Sequence, residues 1–394
     1  MSIVSKRKSV AQQEDETVAA SVAEYLASIS DPRKERTRLH SLKDILVLSL
    51  CAIICGADGF VAIEEFGILK ESWLRTFLEL PNGIPSHDTI GRVFAALNPN
   101  TLENAFRSWM FAVAELTKGE VVAIDGKTLR RSFRKAGSGV FVHMVSAWAT
   151  KNRIVLGQMK SDEKSNEITA IPELLETLLI KGCIVTIDAI GCQTEIAEKI
   201  VEAGADYCLT VKENQRNLYD GLEQTFETGR TDPELQEEFS FAETASKGHG
   251  RTETRRCWTT NNLGALSQKA GDWKNLRSVG LLETERTMNG TMSRERRFII
   301  SSRKNLSAKK ALEVVRAHWG IENELHWVLD VAFREDDCRV RAGNAAENFA
   351  VLRHAALNLL GRAPGKKVGI KTRRLKAGWD DNFLMQVLAA GVPD

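Results

Sequence analysis

Apolar residues recur at helical spacing from Ala20 to about Leu116, so nearly every segment there reads as helix. The run Leu42 to Ile54 is apolar almost all round, which predicts a helix buried on every face. Cys51 and Cys55 lie four apart in it and read as small core residues. Pro85 and Ser86 open another short periodic stretch ending at Leu97. Thr89 to Leu97 fits either the groove-reading helix of a helix-turn-helix or one more helix of a bundle. Arg92 is the only basic residue in it, which favours the bundle.

The period changes at Gly119. Glu120-Val-Val-Ala-Ile124 reads as a strand ending at Asp125-Gly126, and Val140 to Trp148 and Arg153 to Met159 as two more around Thr150-Lys151-Asn152. Glu167 to Ile180 has helical spacing. Ile184 to Ile187 is a short buried strand ending at Asp188, Thr194 to Ala203 a helix, and Ala205 to Val211 a strand. Three strands, helix, strand, helix, strand describes a mixed α/β core. From 217 to 305 an acidic helix-like stretch gives way to alternating segments, read as a mainly β insertion. Ala308 to Leu329 and Asn344 to Leu360 read as long helices. Residues 361–394 form a basic C-terminal segment with Arg362, Lys366, Lys367, Lys371, Arg373, Arg374 and Lys376. The division is therefore a polar flexible tail at 1–19, a helical N-terminal domain at 20–116, a core at 117–216, the insertion at 217–305, core helices at 306–360, and the basic segment.

Composition narrows the class without deciding it. With 394 residues, 43% hydrophobic and 27% charged, the chain is ordinary and globular. A net charge of +2 neither demands nor excludes nucleic acid, so local clusters of charge must decide. Seven cysteines without a CxxC pair argue against metal ribbons and disulfide frameworks, and for a reducing cytoplasm. The N-terminus lacks the apolar stretch of a secretory signal. The most apolar run, Ile45 to Ala57, is shorter than the ~20 residues a membrane-spanning helix needs.

Three places carry candidate chemistry. Asp125 and Asp188 each follow an apolar strand directly, and the carboxyl ends of neighbouring strands form the crevice where α/β sheets bind ligands. Two carboxylates there suit Mg²⁺, which takes oxygen ligands. Gly126-Lys127-Thr128 mimics part of a phosphate loop, but Val121 occupies the position of its first glycine, which excludes an NTPase. In Arg316-Ala-His318-Trp319-Gly320-Ile321-Glu322-Asn323-Glu324-Leu325-His326-Trp327, the residues His318, Glu322 and His326 recur every four positions and predict one helix face. The HExxH order of a zinc site is absent, so Glu322 is the better candidate for a third carboxylate, with Glu324 its rival. Trp319 and Trp327 read as core at that spacing, with base stacking as the alternative.

In combination, VVAIDGKTLRRS, IVTIDAIGCQ, LTVKENQ and RAHWGIENELHWVLDVAFREDDCRVR resemble the H-repeat-associated insertion-sequence transposases, a group of DDE transposases. The likeness runs from DPRKERTRLHSLKDIL near Asp31 to about Leu360. It implies an α/β ribonuclease-H-like catalytic core with a β-rich insertion, preceded by an all-α N-terminal domain. It implies Asp125, Asp188 and Glu322 as catalytic and metal-binding residues for Mg²⁺ or Mn²⁺, as a pair of ions. The reaction implied is cleavage at the ends of a mobile element and strand transfer into target DNA, in the cytoplasm and by a homodimer on double-stranded DNA. Related transposases carry Tyr, Arg, Glu and Lys around that glutamate; here Val315, His318, Glu322 and Leu329 stand there, so only the glutamate matches. Phosphate contacts are expected from Lys127, Arg130, Arg131, Lys212, Arg339 and Arg341, from the basic C-terminal segment, and from His318 and His326. Two other readings stay open: a nuclease of the same fold that cuts without joining, and a non-catalytic DNA-binding relic.

Overall fold

The computed structural model describes residues 25–26, 28–113, 116–130, 142–161, 167–248, 250–266 and 270–391. The expected tail at 1–19 and Arg131 lie outside them. Nine strands form a single sheet in the order β3-β2-β1-β4-β5-β9-β8-β7-β6. The core half contains β1 (Val121–Leu129), β2 (Val142–Ala149), β3 (Ile154–Ser161), β4 (Ile184–Ile187) and β5 (Asp206–Val211). β1, β2 and β3 pair antiparallel, while β1–β4 and β4–β5 pair in parallel. Helices α5 (Glu167–Glu176) and α6 (Thr194–Glu202) make the connections on either side of β4. β2 is buried at every position, as a strand covered on both faces must be.

The insertion starts with a helix, α7 (Arg216–Thr231), and continues as β6 (Ser240–Gly248), β7 (Arg251–Thr260), β8 (Ser278–Met288) and β9 (Thr291–Ser301). It is not a separate sheet. β9 pairs antiparallel with β5 over Cys208–Val211 and Phe298–Ser301, so the insertion extends the core sheet. Its far end is held by cross-strand ion pairs: Arg256 meets Glu243 at 2.6 Å and Glu285 at 3.1 Å, and Arg294 meets Glu285 at 2.8 Å.

The N-terminal segment is helical as expected: α1 (Leu42–Ile54), α2 (Phe60–Leu74), α3 (His87–Ala96) and α4 (Pro99–Val113). Ser41 caps α1 by accepting from the Asp44 amide, and all but one of its residues are buried. α1 packs against α10 (Ala345–Arg362), and Phe60, Phe94 and Phe349 meet with ring centroids 5.4–6.1 Å apart. The apolar cluster runs without a break from these helices into the sheet. α3 is fastened to this body: Asn348 donates to the Phe94 and Leu97 carbonyls at 2.8 and 2.9 Å, and the Asn344 amide to Ala95 at 3.0 Å. A helix held this way belongs to the packed layer, in keeping with the bundle reading.

Two expectations are corrected here. The basic C-terminal segment folds into α11 (Ile370–Trp379) and α12 (Asp381–Ala389), and two of its cations point inward. Arg373 donates to the Leu360 and Ala363 carbonyls at 2.5 and 2.7 Å. Arg374 donates to Ile53 at 2.8 Å and to Ala332, satisfying carbonyls at the ends of two helices. The other correction concerns β1. It does not stop at Asp125 but runs on to Leu129, because β2 continues to pair with it after β4 has ended.

Candidate active site

The sheet register brings the two aspartates together. β1 and β4 pair in parallel up to Ile124 opposite Ile187, and the next residue on each strand is Asp125 or Asp188. β4 leaves the sheet there and turns through Ala189–Gly191, with Asp188 Oδ1 accepting from the Ile190 and Gly191 amides at 3.0 and 3.4 Å. This turn is braced by the segment after β5: Asn214 donates to the Ala189 carbonyl at 2.8 Å and Gln215 to Cys192 at 2.9 Å. The LTVKENQ segment thus positions Asp188. Burial, together with the charges of Asp188, Glu167 and Glu322, pushes the Asp125 carboxyl up to about 7. Asp188 is raised as well, by burial and the charge of Glu167, against the hydrogen bonds from its turn and the charge of Lys212.

Glu322 arrives on a segment built in three parts: α8 (Ala308–His318), a π-helical turn (Ile321–His326) and α9 (Trp327–Phe333). Ser307 caps α8. The predicted four-residue stripe does not hold in this segment, whose winding changes at the π turn. Glu322 is exposed, whereas His318 and His326 turn inward. His318 Nδ1 lies 3.1 Å from Thr186 on β4, and His326 Nδ1 lies 3.6 Å from Asp125 Oδ2 on β1. The two imidazoles therefore seat the segment across the strands that bear the aspartates, with Glu322 between them in sequence. Glu324 is turned aside, 3.0 Å from Arg153.

Comparison with known proteins identifies the family of the chain. Residues 116–359 match the model for the transposase DDE domain, and residues 23–110 match a domain associated with it. The chain is 40% identical to the "H repeat-associated putative transposase YhhI" of Escherichia coli K12, over 93% of this chain and 97% of that one. It is 42% identical to the "Putative transposase YncI" of Escherichia coli O157:H7, over 94% and 95%. The chain belongs to the DDE transposases. Among solved structures, the piggyBac transposase synaptic complex with hairpin DNA aligns with 94% of this chain and 78% of its own, at a TM-score of 0.40 and 11% identity. That likeness is too loose to carry an argument.

The basic residues of this DDE transposase divide sharply. Lys212 is exposed and close enough to Asp188 to act on its charge. Arg130 is exposed and lies 3.3 Å from Asp336. Arg339 and Arg341 are exposed and line a cleft of about 730 Å³ with Arg92 and Arg334, between α3 and the segment after α9. Lys127 is not a surface cation. Its side chain is 12% exposed and its ammonium is taken up by Asp330 and, at 2.8 Å, by Glu335. Burial opposes the Glu335 charge, yet Lys127 and Arg353 hold that carboxyl down at about 2. His318 and His326 turn inward to Thr186 and Asp125, and burial, with nearby positive charge, lowers them to about 4 and about 3. Trp319 and Trp327, read as core, are 40% and 61% exposed, and Arg297 lies over the Trp319 ring.

The sequence reading missed Glu167 and His143. Glu167 Oε1 lies 2.6 Å from His143 Nε2, and both are buried. Gly126 makes room for the pair, since a Cβ there would lie 2.4 Å from each. A buried glutamate at the first position of α5 could be told from a helix-dipole partner only in three dimensions. Among the described residues, no group of three or more His, Cys, Asp or Glu side chains is drawn close enough to hold a metal ion as it stands. The donor chemistry nonetheless suits a hard cation: Asp125, Asp188 and Glu322 offer only oxygen, and Asp125 feels the charge of the other two. Among the described residues, no helix is long and apolar enough to cross a membrane.

Proposed function

We propose that this transposase cleaves DNA at the ends of its mobile element and joins the freed end to target DNA, with Asp125, Asp188 and Glu322 holding divalent cations, Mg²⁺ or Mn²⁺. The carrying observation is the register that sets Asp125 beside Asp188, with the Glu322 charge acting on Asp125. A pair of such ions supplies charge stabilisation to the attacking and leaving oxygens of an in-line phosphoryl displacement. Cleavage and joining are both transfers to an oxygen nucleophile, so one carboxylate set serves both. Like charges crowded in a half-buried site are unfavourable alone, and a cation relieves them. Lys212 beside Asp188 and Arg130 at the far end of β1 are the proposed contacts to phosphate, with Arg339 and Arg341 further along. Trp319 and Trp327 offer exposed rings to an unpaired base. Two element ends must be held at once, so the acting species is a homodimer on double-stranded DNA.

The test uses duplex DNA taken from either side of the gene, where this reading expects inverted repeats. Asp125→Asn, Asp188→Asn and Glu322→Gln each abolish Mg²⁺-dependent nicking while retaining binding in a mobility-shift assay. Undiminished nicking by any of the three refutes the assignment of that residue.

A further inference from the structure

We propose that His326 is a positioning residue that fixes the Asp125 carboxylate for cation binding, an inference that rests on the reading of Asp125, Asp188 and Glu322 as the cation centre. The His326 side chain is 12% exposed, and its Nδ1 lies 3.6 Å from Asp125 Oδ2. Its Nε2 is buried and has no hydrogen-bond partner. A buried ring nitrogen left unpartnered is an expensive arrangement and points to a functional reason for the ring. The π turn Ile321–His326 carries both the exposed Glu322 and, at its end, the inward-facing His326.

The ring is also backed by a rigid charged group. Lys127 shares a face of β1 with Asp125 and bonds Asp330 and Glu335. Arg353 lies 3.7 Å from Glu335, with both side chains 2% exposed. His354, on the next position of α10, is buried as well and has an unpartnered Nδ1. Lys127, Glu335 and His354 lie close enough to the ring to act on its charge, and partners of ligating groups typically contribute about 10–100-fold to metal affinity. His326 is therefore placed to act through Asp125.

The full-length chain, without DNA, is titrated with Mn²⁺ and the free ion followed by electron paramagnetic resonance. His326→Leu keeps the bulk and removes the donor; its affinity falls about 10–100-fold. His326→Asn, whose amide nitrogen reproduces the Nδ1 position, stays near wild type, whereas His326→Gln, which reaches the Nε2 position, behaves like Leu. Wild-type affinity in the Leu variant overturns the proposal, as does equal loss in the Asn and Gln variants. If the Leu variant does not fold, the Asn–Gln comparison decides. Asp125→Asn separates this inference from the reading beneath it. Unchanged Mn²⁺ binding in that variant removes the cation centre itself, whereas its loss alongside wild-type binding by His326→Leu removes only the role of His326.

Discussion

Asp125 is held in a state that folding disfavours. Its carboxyl rises from 3.8 to about 7 because burial and three neighbouring carboxylates penalise the ionised form. The native state therefore binds this proton more tightly than the unfolded chain does. Stability is unaffected below about pH 4 and is lost as pH rises towards 7. Asp125→Asn removes the penalty, so in the absence of divalent ions it should match wild type near pH 4. Above pH 7 it should be more stable by up to roughly 4 kcal/mol. Urea unfolding at both pH values checks this, and a stability difference that does not change with pH would contradict it. At this scale the sequence is informative about Asp125 and Asp188, because an apolar strand followed by Asp is a local pattern. It misleads about Lys127, whose partners Asp330 and Glu335 lie 203 and 208 residues away. A charge is visible in sequence, but the group that neutralises it across the fold is not.

Two elements owe their form to contacts that periodicity does not reveal. β3 is the edge of the core half, and its exposed ladder is closed by side chains. Asn358 accepts from the Val155 amide and donates to its carbonyl, both at 2.9 Å, while Glu103 accepts from the Gln158 amide at 2.9 Å. Asn358→Leu leaves both Val155 groups buried and unpaired, so it should lower stability by about 1–3 kcal/mol with little change in volume. Denaturant titration measures this, and a neutral result would mean the edge is not held by that amide. The segment carrying Glu322 is the second case. Residues Ala308 to Leu329 have an uninterrupted helical pattern, so the sequence predicts one helix, and the π turn inside it is invisible. His318 meets β4 before that change of winding and His326 meets β1 at its end.

At the scale of the whole molecule, the insertion completes the sheet. β5 is flanked by β4 on one side and β9 on the other. Replacing Ser240–Ser301 with a short linker should expose the Cys208–Val211 edge, leaving unpaired backbone on an apolar strand. The product is expected to aggregate, as size-exclusion chromatography would show. A monodisperse, folded product would mean that the core half is self-sufficient. The same logic ties the chain ends together, with Arg374 linking the ends of α1 and α9. The sequence by itself determined most elements up to residue 360, the α/β order with its insertion and the acidic residues at the strand ends, because these follow from short-range periodicity and strand-end chemistry. The tertiary structure alone decided which strands adjoin, which cations are buried, that the insertion continues the sheet and where the helix winds wider. Those depend on pairings and charge neutralisation between residues hundreds of positions apart, which no local pattern encodes.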